Sequence, residues 1–236
     1  MAEAGSNFLQ ALDALHRRFL VGVEGVTEVW LVRHGDAYAE LVSADDHITD
    51  SGAGRRMDPP LSPQGRREAA QLNQRLRHSG IDAVYASDLA RARETAEIAA
   101  LGTGLEVRVE PRLREIRTHW DEGGPRPMPG DDAPVTRYIP FHQRDLDDAV
   151  VRMTAALRDV AAEVGPGRRA VCVSHAAAIT AYLLSLMKLE WGAFRLLVEF
   201  TSVSVVRFKD DLVVVHSIGD TGHLVRESLP AEVVAR

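Results

Sequence analysis

Thr27-Glu28-Val29-Trp30-Leu31-Val32-Arg33-His34-Gly35 is the stretch that decides how this chain is read. Thr27 to Val32 is an apolar, β-prone run, which predicts a buried strand ending at a cation and an imidazole. In open α/β sheets the carboxyl ends of strands are where ligands bind. A rigid strand that delivers Arg33 and His34 to such an edge points to a phosphate site containing a nucleophile or base. Arg-His-Gly alone recurs by chance, so the reading depends on what other strands deliver to the same edge.

Two more strands end in suitable groups. Residues 81–86 predict a strand ending at Ser87, the expected N-cap of a helix whose first turn holds Arg91, with Asp88 complementing the helix dipole. Residues 170–174 predict a buried strand that ends in Ser174-His175 and feeds a hydrophobic helix over 176–189. Carboxyl ends of parallel strands share one edge of a sheet, so two arginines, two histidines and helix N-termini can converge there. Such a pocket suits a doubly charged phosphoryl group.

The rest of the chain fills in around these points. Residues 6–20 place Phe8, Leu12, Leu15 and Phe19 on one helical face, a helix expected to lie outside the domain. Residues 36–60 carry little apolar periodicity and predict a long functional loop. Ser62-Pro63 is a helix start, with serine as N-cap and proline at the first position. A third strand is expected at 105–109. Residues 116–144 are irregular, a candidate lid or substrate loop. From Asp145 a helix runs with Leu146, Val150, Met153, Leu157, Val160 and Val164 at helical spacing, stopped by Gly165-Pro166. Two alternating runs, 197–208 and 212–217, predict an antiparallel hairpin turning at Lys209-Asp210-Asp211. The order of elements predicts an α/β fold, a three-layer αβα with a mostly parallel central sheet and an antiparallel edge or hairpin.

Bulk properties narrow the function classes. Among 236 residues, 45% are hydrophobic and 26% charged, the balance of a soluble globular chain. The formal net charge of −6 provides no basic field for nucleic acid or an anionic membrane. Lys188 and Lys209 are the only lysines, so the cations are almost all arginine, and only individually placed arginines carry an argument. Cys172 is the single cysteine; it excludes an intrachain disulfide and a cysteine zinc site, and its apolar surroundings predict a buried small hydrophobe. No metal-ligand spacing is present, and neither a secretory signal nor a membrane span is expected, which suggests a cytoplasmic location.

Several motifs in order resemble one family. They are Leu31-Val32-Arg33-His34-Gly35, Asp58-Pro59-Pro60-Leu61-Ser62-Pro63-Gln64-Gly65, Ser87-Asp88-Leu89-Ala90-Arg91-Ala92-Arg93-Glu94-Thr95-Ala96, Leu113-Arg114-Glu115-Ile116 and Val173-Ser174-His175. Together they are similar to the successive motifs of the histidine phosphatase (phosphoglycerate mutase-like) superfamily, over roughly residues 27–208. The resemblance implies a single domain over 1–236, with 1–25 as a helical extension and 116–144 inserted as a lid or substrate loop. It implies that His34 is transiently phosphorylated while Arg33, Arg91, His175 and the Ala176 N–H hold the phosphoryl oxygens. Glu115 would protonate the leaving oxygen and then activate water. No cofactor or metal is implied.

Two departures bear on the activity. After Arg-His-Gly, mutase-type members commonly have Glu or Gln, then Ser or Thr, and an Asn at a fixed offset; this chain has Asp36, Ala37 and Glu40. That turns the expectation from a cofactor-dependent phosphoglycerate mutase toward a metal-independent phosphatase of small phosphomonoesters. The glycine usual after the second histidine is Ala176, which keeps the N–H but restricts the backbone and leaves a non-catalytic phospho-ligand-binding module as a further alternative. Asp36, Asp88, Asp121 and Glu122 compete with Glu115 as acids. Arg91 fits the motif, whereas Arg93 is expected to pair with Glu97 at the surface. Asp36, His119 and Arg144 are candidate substrate-lining residues. The expected partner is a small phosphorylated metabolite, without nucleic acid or membrane. The hairpin edge and N-terminal helix are the surfaces available for a homodimer.

Overall fold

A computed structural model describes residues 2–37, 48–51, 54–117, 141–191, 196 and 198–225. The helices are α1 (Ala2–Arg18), α2 (Pro63–Arg77), α3 (Ala90–Ala100), α4 (Gln143–Val164) and α5 (Ala176–Leu186). The strands are β1 (Thr27–Arg33), β2 (Ile48–Ser51), β3 (Gly54–Met57), β4 (Ala83–Ala86), β5 (Val107–Val109), β6 (Arg169–Ser174), β7 (Val203–Lys209) and β8 (Leu212–Asp220).

Six strands form one sheet in the order β5-β4-β6-β1-β7-β8. The β5-β4-β6-β1 block is parallel, and β7 and β8 add an antiparallel edge. This is the α/β architecture predicted by the order of elements. Alternation along the central strands makes two cores. Val29 and Leu31 of β1 face α4 and α5, while Trp30 and Val32 face the side packed by α2 and α3. With both faces covered, the central strands are continuous apolar runs, and Val29, Leu31, Val32, Val171, Cys172 and Val173 are fully buried. Cys172 is thus a packing residue; burial pushes its thiol pKa up and keeps it protonated.

Register places the site. β1 and β6 pair with Arg33 opposite Ser174, and β4 pairs with β6 with Ala86 opposite Val173. The His34 N–H donates to the Ser174 carbonyl at 3.0 Å, and the Ser87 N–H to the Val173 carbonyl at 2.9 Å. His34, His175 and Ser87 therefore stand side by side where three adjacent strands end.

Some local expectations change. Residues 36–60 are not all loop, because β2 and β3 pair as a small separate hairpin; their weak apolar patterning is that of a hairpin outside the main sheet. The hairpin strand expected from residue 197 begins at Val203, because Thr201 adopts a φ of 52° and turns the chain first. Leu15 of α1 and Phe19 just after it are exposed, so this apolar face is not buried by the described residues. At α2, Ser62 accepts from the Gly65 N–H with Pro63 in the first turn, as expected, a cap worth about 1 kcal/mol.

Candidate active site

His34 is buried, with an exposure of 2%. Its Nδ1 lies 2.7 Å from the Gly35 carbonyl oxygen. A carbonyl only accepts, so Nδ1 carries the proton and Nε2 keeps its lone pair. Arg91 Nε donates to that lone pair at 3.2 Å. Burial, and then the positive charges of Arg91 and Arg33, hold the His34 pKa well below its usual value; the Gly35 hydrogen bond opposes them. The ring is neutral at neutral pH, as a nitrogen nucleophile must be.

The cations around it are held by tertiary contacts. Arg33 Nη1 donates to the Val198 carbonyl at 2.8 Å, and its guanidinium carbon lies 3.8 Å from the Phe200 ring centroid. The Thr201 N–H closes this wall by donating to the Arg33 carbonyl at 3.0 Å. Arg91 is buried, whereas Arg93 is exposed, so Arg91 is the arginine beside His34. Asp58 Oδ1 accepts from the Ala90 N–H at 2.7 Å and pairs with Arg91 Nη1 at 3.6 Å. Asp58 thus caps α3 and steadies its arginine from 32 residues upstream. Burial nevertheless raises its own pKa.

Asp58 replaces the expected cap. Ser87 instead accepts from the Leu89 N–H at 3.3 Å and bonds His175 Nε2 at 2.9 Å. Asp88 is bound in a fork by Arg114 Nε and Nη2. The ring centroids of His175 and His34 are 5.1 Å apart.

Glu115 reaches the start of the helix that follows His175. Its Oε1 accepts from the Ala178 N–H at 2.9 Å, and its Oε2 from the Ala177 N–H at 3.3 Å. Of the competing acids, Asp88 is engaged by Arg114 and Asp36 by Ser62, whose hydroxyl donates to Asp36 Oδ2 at 2.6 Å. Asp121 and Glu122 lie outside the described residues, as do His119 and Glu40. Asp36, read as a substrate contact, is buried and braces the loop after His34 against the first turn of α2. Arg144 is largely exposed at the start of α4, 3.7 Å from Asp145. Ala176 is the first residue of α5, directly after His175.

Two motif glycines have a steric explanation. A Cβ on Gly35 would meet the Gly65 carbonyl oxygen at 2.6 Å, and one on Gly65 would meet the Asp36 carbonyl oxygen at 2.0 Å. Backbone packs on backbone here, which brings α2 against the segment carrying His34. Thr95 adds a third tie, accepting from the Gly35 N–H at 3.0 Å while donating to the Arg91 carbonyl at 2.7 Å. The sequence reading gave Asp58, Gly65 and Thr95 no role, although all three lie in the quoted motifs. Val198 and Phe200 were missed because nothing local distinguishes them from strand residues.

A family model of the histidine phosphatase superfamily (branch 1) matches residues 29–221. The chain belongs to this family. Among its relatives is a Cronobacter sakazakii protein named "Probable phosphoglycerate mutase GpmB". It is 33% identical over 218 residues, covering 84% of this chain and 94% of that protein. YhfR of Bacillus stearothermophilus superposes with a TM-score of 0.62 at 23% identity, covering 84% of this chain and 98% of its own. A phosphoserine phosphatase from Entamoeba histolytica, solved with phosphoserine, gives 0.61 at 23% identity over 84% and 100%. At this identity the two structures establish the fold. Within the matched range, the geometry brings Arg91 and His175 against His34, which directly follows Arg33.

Proposed function

We propose that this chain is a metal-independent phosphomonoesterase working through a phosphohistidine on His34. The observation that carries the proposal is the His34 ring itself: Nδ1 is committed to the Gly35 carbonyl, leaving a neutral Nε2 that faces the Arg91 guanidinium. In the first step Nε2 attacks phosphorus, and the bond from phosphorus to the ester oxygen breaks. Arg91, Arg33, His175 and the Ala176 N–H take the phosphoryl oxygens, where charge accumulates in a loose transition state. Glu115 gives its proton to the departing oxygen. In the second step water attacks phosphorus, Glu115 accepts the water proton, and the bond to Nε2 breaks to release phosphate and neutral His34. Asp36 and Ala37 after the motif glycine favour water over a second sugar hydroxyl as the acceptor. The substrate class is small phosphorylated metabolites.

The test is a phosphate-release screen over small phosphomonoesters from acidic to neutral pH, with His34→Ala as the blank. Bisphosphate-primed isomerisation of phosphoglycerate is assayed alongside. The expected result is net phosphate release that requires His34, together with an acid-labile phosphoryl label on the protein. Isomerisation without net release would replace hydrolysis by phosphotransfer on the same histidine. Turnover and labelling that both survive His34→Ala would end the phosphohistidine reading.

A further inference from the structure

Glu115 lies on a stretch with little regular structure of its own. A single 3-10 turn, Pro111–Leu113, precedes it, and residues 114–117 are irregular. Backbone of this kind keeps one geometry only where other elements hold it. Here four successive carbonyls are held from outside the segment. Arg152 Nη1, on α4, donates to the carbonyls of both Arg112, at 2.7 Å, and Arg114, and Nη2 donates to that of Glu115 at 3.2 Å. Ser174 Oγ, at the end of β6, donates to the remaining carbonyl, Leu113, at 2.7 Å. Asp148, one turn earlier on α4, lies 3.4 Å from Arg152 Nε and orients the fork. Leu113, among the clamped residues, and Ile116, directly after them, are fully buried.

We infer that Arg152 is a positioning residue: one planar guanidinium gathers the carbonyls of Arg112, Arg114 and Glu115 and thereby sets where the Glu115 carboxyl stands. The inference rests on the proposed role of Glu115 as the proton donor. A guanidinium offers several donors in a fixed fork, whereas a lysine ammonium is a compact point charge that cannot span three carbonyls in the same way. Misplacing a reacting group by about 1 Å costs roughly 10²-fold in rate. The loss should fall on the step that needs a proton, not evenly on all substrates.

The experiment measures kcat/KM, which ends at departure of the leaving group, over aryl phosphates from phenyl to 2,4-dinitrophenyl. Wild type, Glu115→Gln, Arg152→Gln and Arg152→Lys are compared, each with its melting temperature. Arg152→Gln should lose roughly 10²-fold on phenyl phosphate and less than about tenfold on dinitrophenyl phosphate, whose leaving group needs no protonation. Arg152→Lys should lie between it and wild type, and added guanidinium ions should partly restore Arg152→Gln. Should Arg152→Gln fail to fold, the Lys variant reports the same leaving-group dependence with a shallower slope. An equal loss across the series at Arg152, with a steep one for Glu115→Gln, would overturn the inference and leave the proposed function standing. A flat series for Glu115→Gln would remove Glu115 as the acid, and the inference with it. Absence of turnover by the wild type on every ester would remove both.

Discussion

The proposed nucleophile, His34, and the proposed acid, Glu115, are held in opposite ways. His34 follows directly from a central strand with neighbours on both sides; its position is set by the ladder, and its backbone N–H bonds the Ser174 carbonyl as a continuation of that ladder. Glu115 sits on irregular backbone and is placed by side chains from α4 and β6 and by the N-terminus of α5. Sheet register is cooperative and stiff, so the position of His34 should tolerate loss of any one side-chain contact. The acid depends on a few individual bonds. On the proposed mechanism, such a site would keep the atom that forms the covalent bond rigid and leave proton delivery open to adjustment.

Mutations can break this contrast in order of expected effect. His34→Ala removes the proposed nucleophile and should lower phosphate release by about 10⁴-fold or more, with loss of the acid-labile label on the protein; a residual rate near wild type would contradict the assignment. Glu115→Gln should cost about 10²–10⁴-fold on esters with poor leaving groups while labelling by activated esters persists. Equal failure of labelling on every ester would mean that the two arms are not separable.

Gly65→Ala tests the stiff side. The added methyl would overlap the Asp36 carbonyl, backbone against backbone. Overpacking of this kind costs about 1–3 kcal/mol, a fall of roughly 2–4 °C in Tm per kcal/mol for a chain of this size. Activity should fall with Tm, because the displaced segment carries His34; a variant with unchanged Tm and activity would show that the glycine contact is slack.

The smallest effects are pH effects. The His34 pKa lies well below 6.5, so the acid limb of kcat/KM from this group should lie well below that pH. His223 behaves similarly: burial first, then the positive charge of Arg75, lowers its pKa to about 4, against the partial opposition of Asp220. The unfolded chain takes up these protons near 6.5 and the folded one only at lower pH. Stability from His223 is therefore full above about 6.5 and is lost as pH falls toward about 4. His223→Gln should flatten that part of the Tm-against-pH curve without changing the acid limb of activity, since His223 belongs to neither arm.

The stiff arm was also the legible one. Apolar runs capped by Arg-His and Ser-His announce buried parallel strands and the edge they share, because burial on both faces demands continuous apolar sequence. The superfamily motifs then marked Arg91 and Glu115. The surroundings were less readable. Ser87 and Asp88 each had a sound local expectation that a distant partner displaced: His175 bonds Ser87, and Arg114 bonds Asp88; Asp36, read as a candidate substrate contact, is bonded by Ser62. Local rules describe which bond a side chain can make with its own segment; they are silent on a stronger partner arriving from elsewhere.

By itself the sequence determined the order of the helices and of the strands of the main sheet, the α/β class and the residue types at three strand ends, since periodicity and apolar runs are local properties of the chain. Only the tertiary structure decided that Asp58 would cap the helix of Arg91, that Gly35 and Gly65 would touch without side chains between them, that Phe200 would lie against Arg33, and that Arg152 would gather the carbonyls beneath Glu115. Each of these is a contact between segments far apart in the chain. Its geometry follows from how the layers pack rather than from the residues on either side of it.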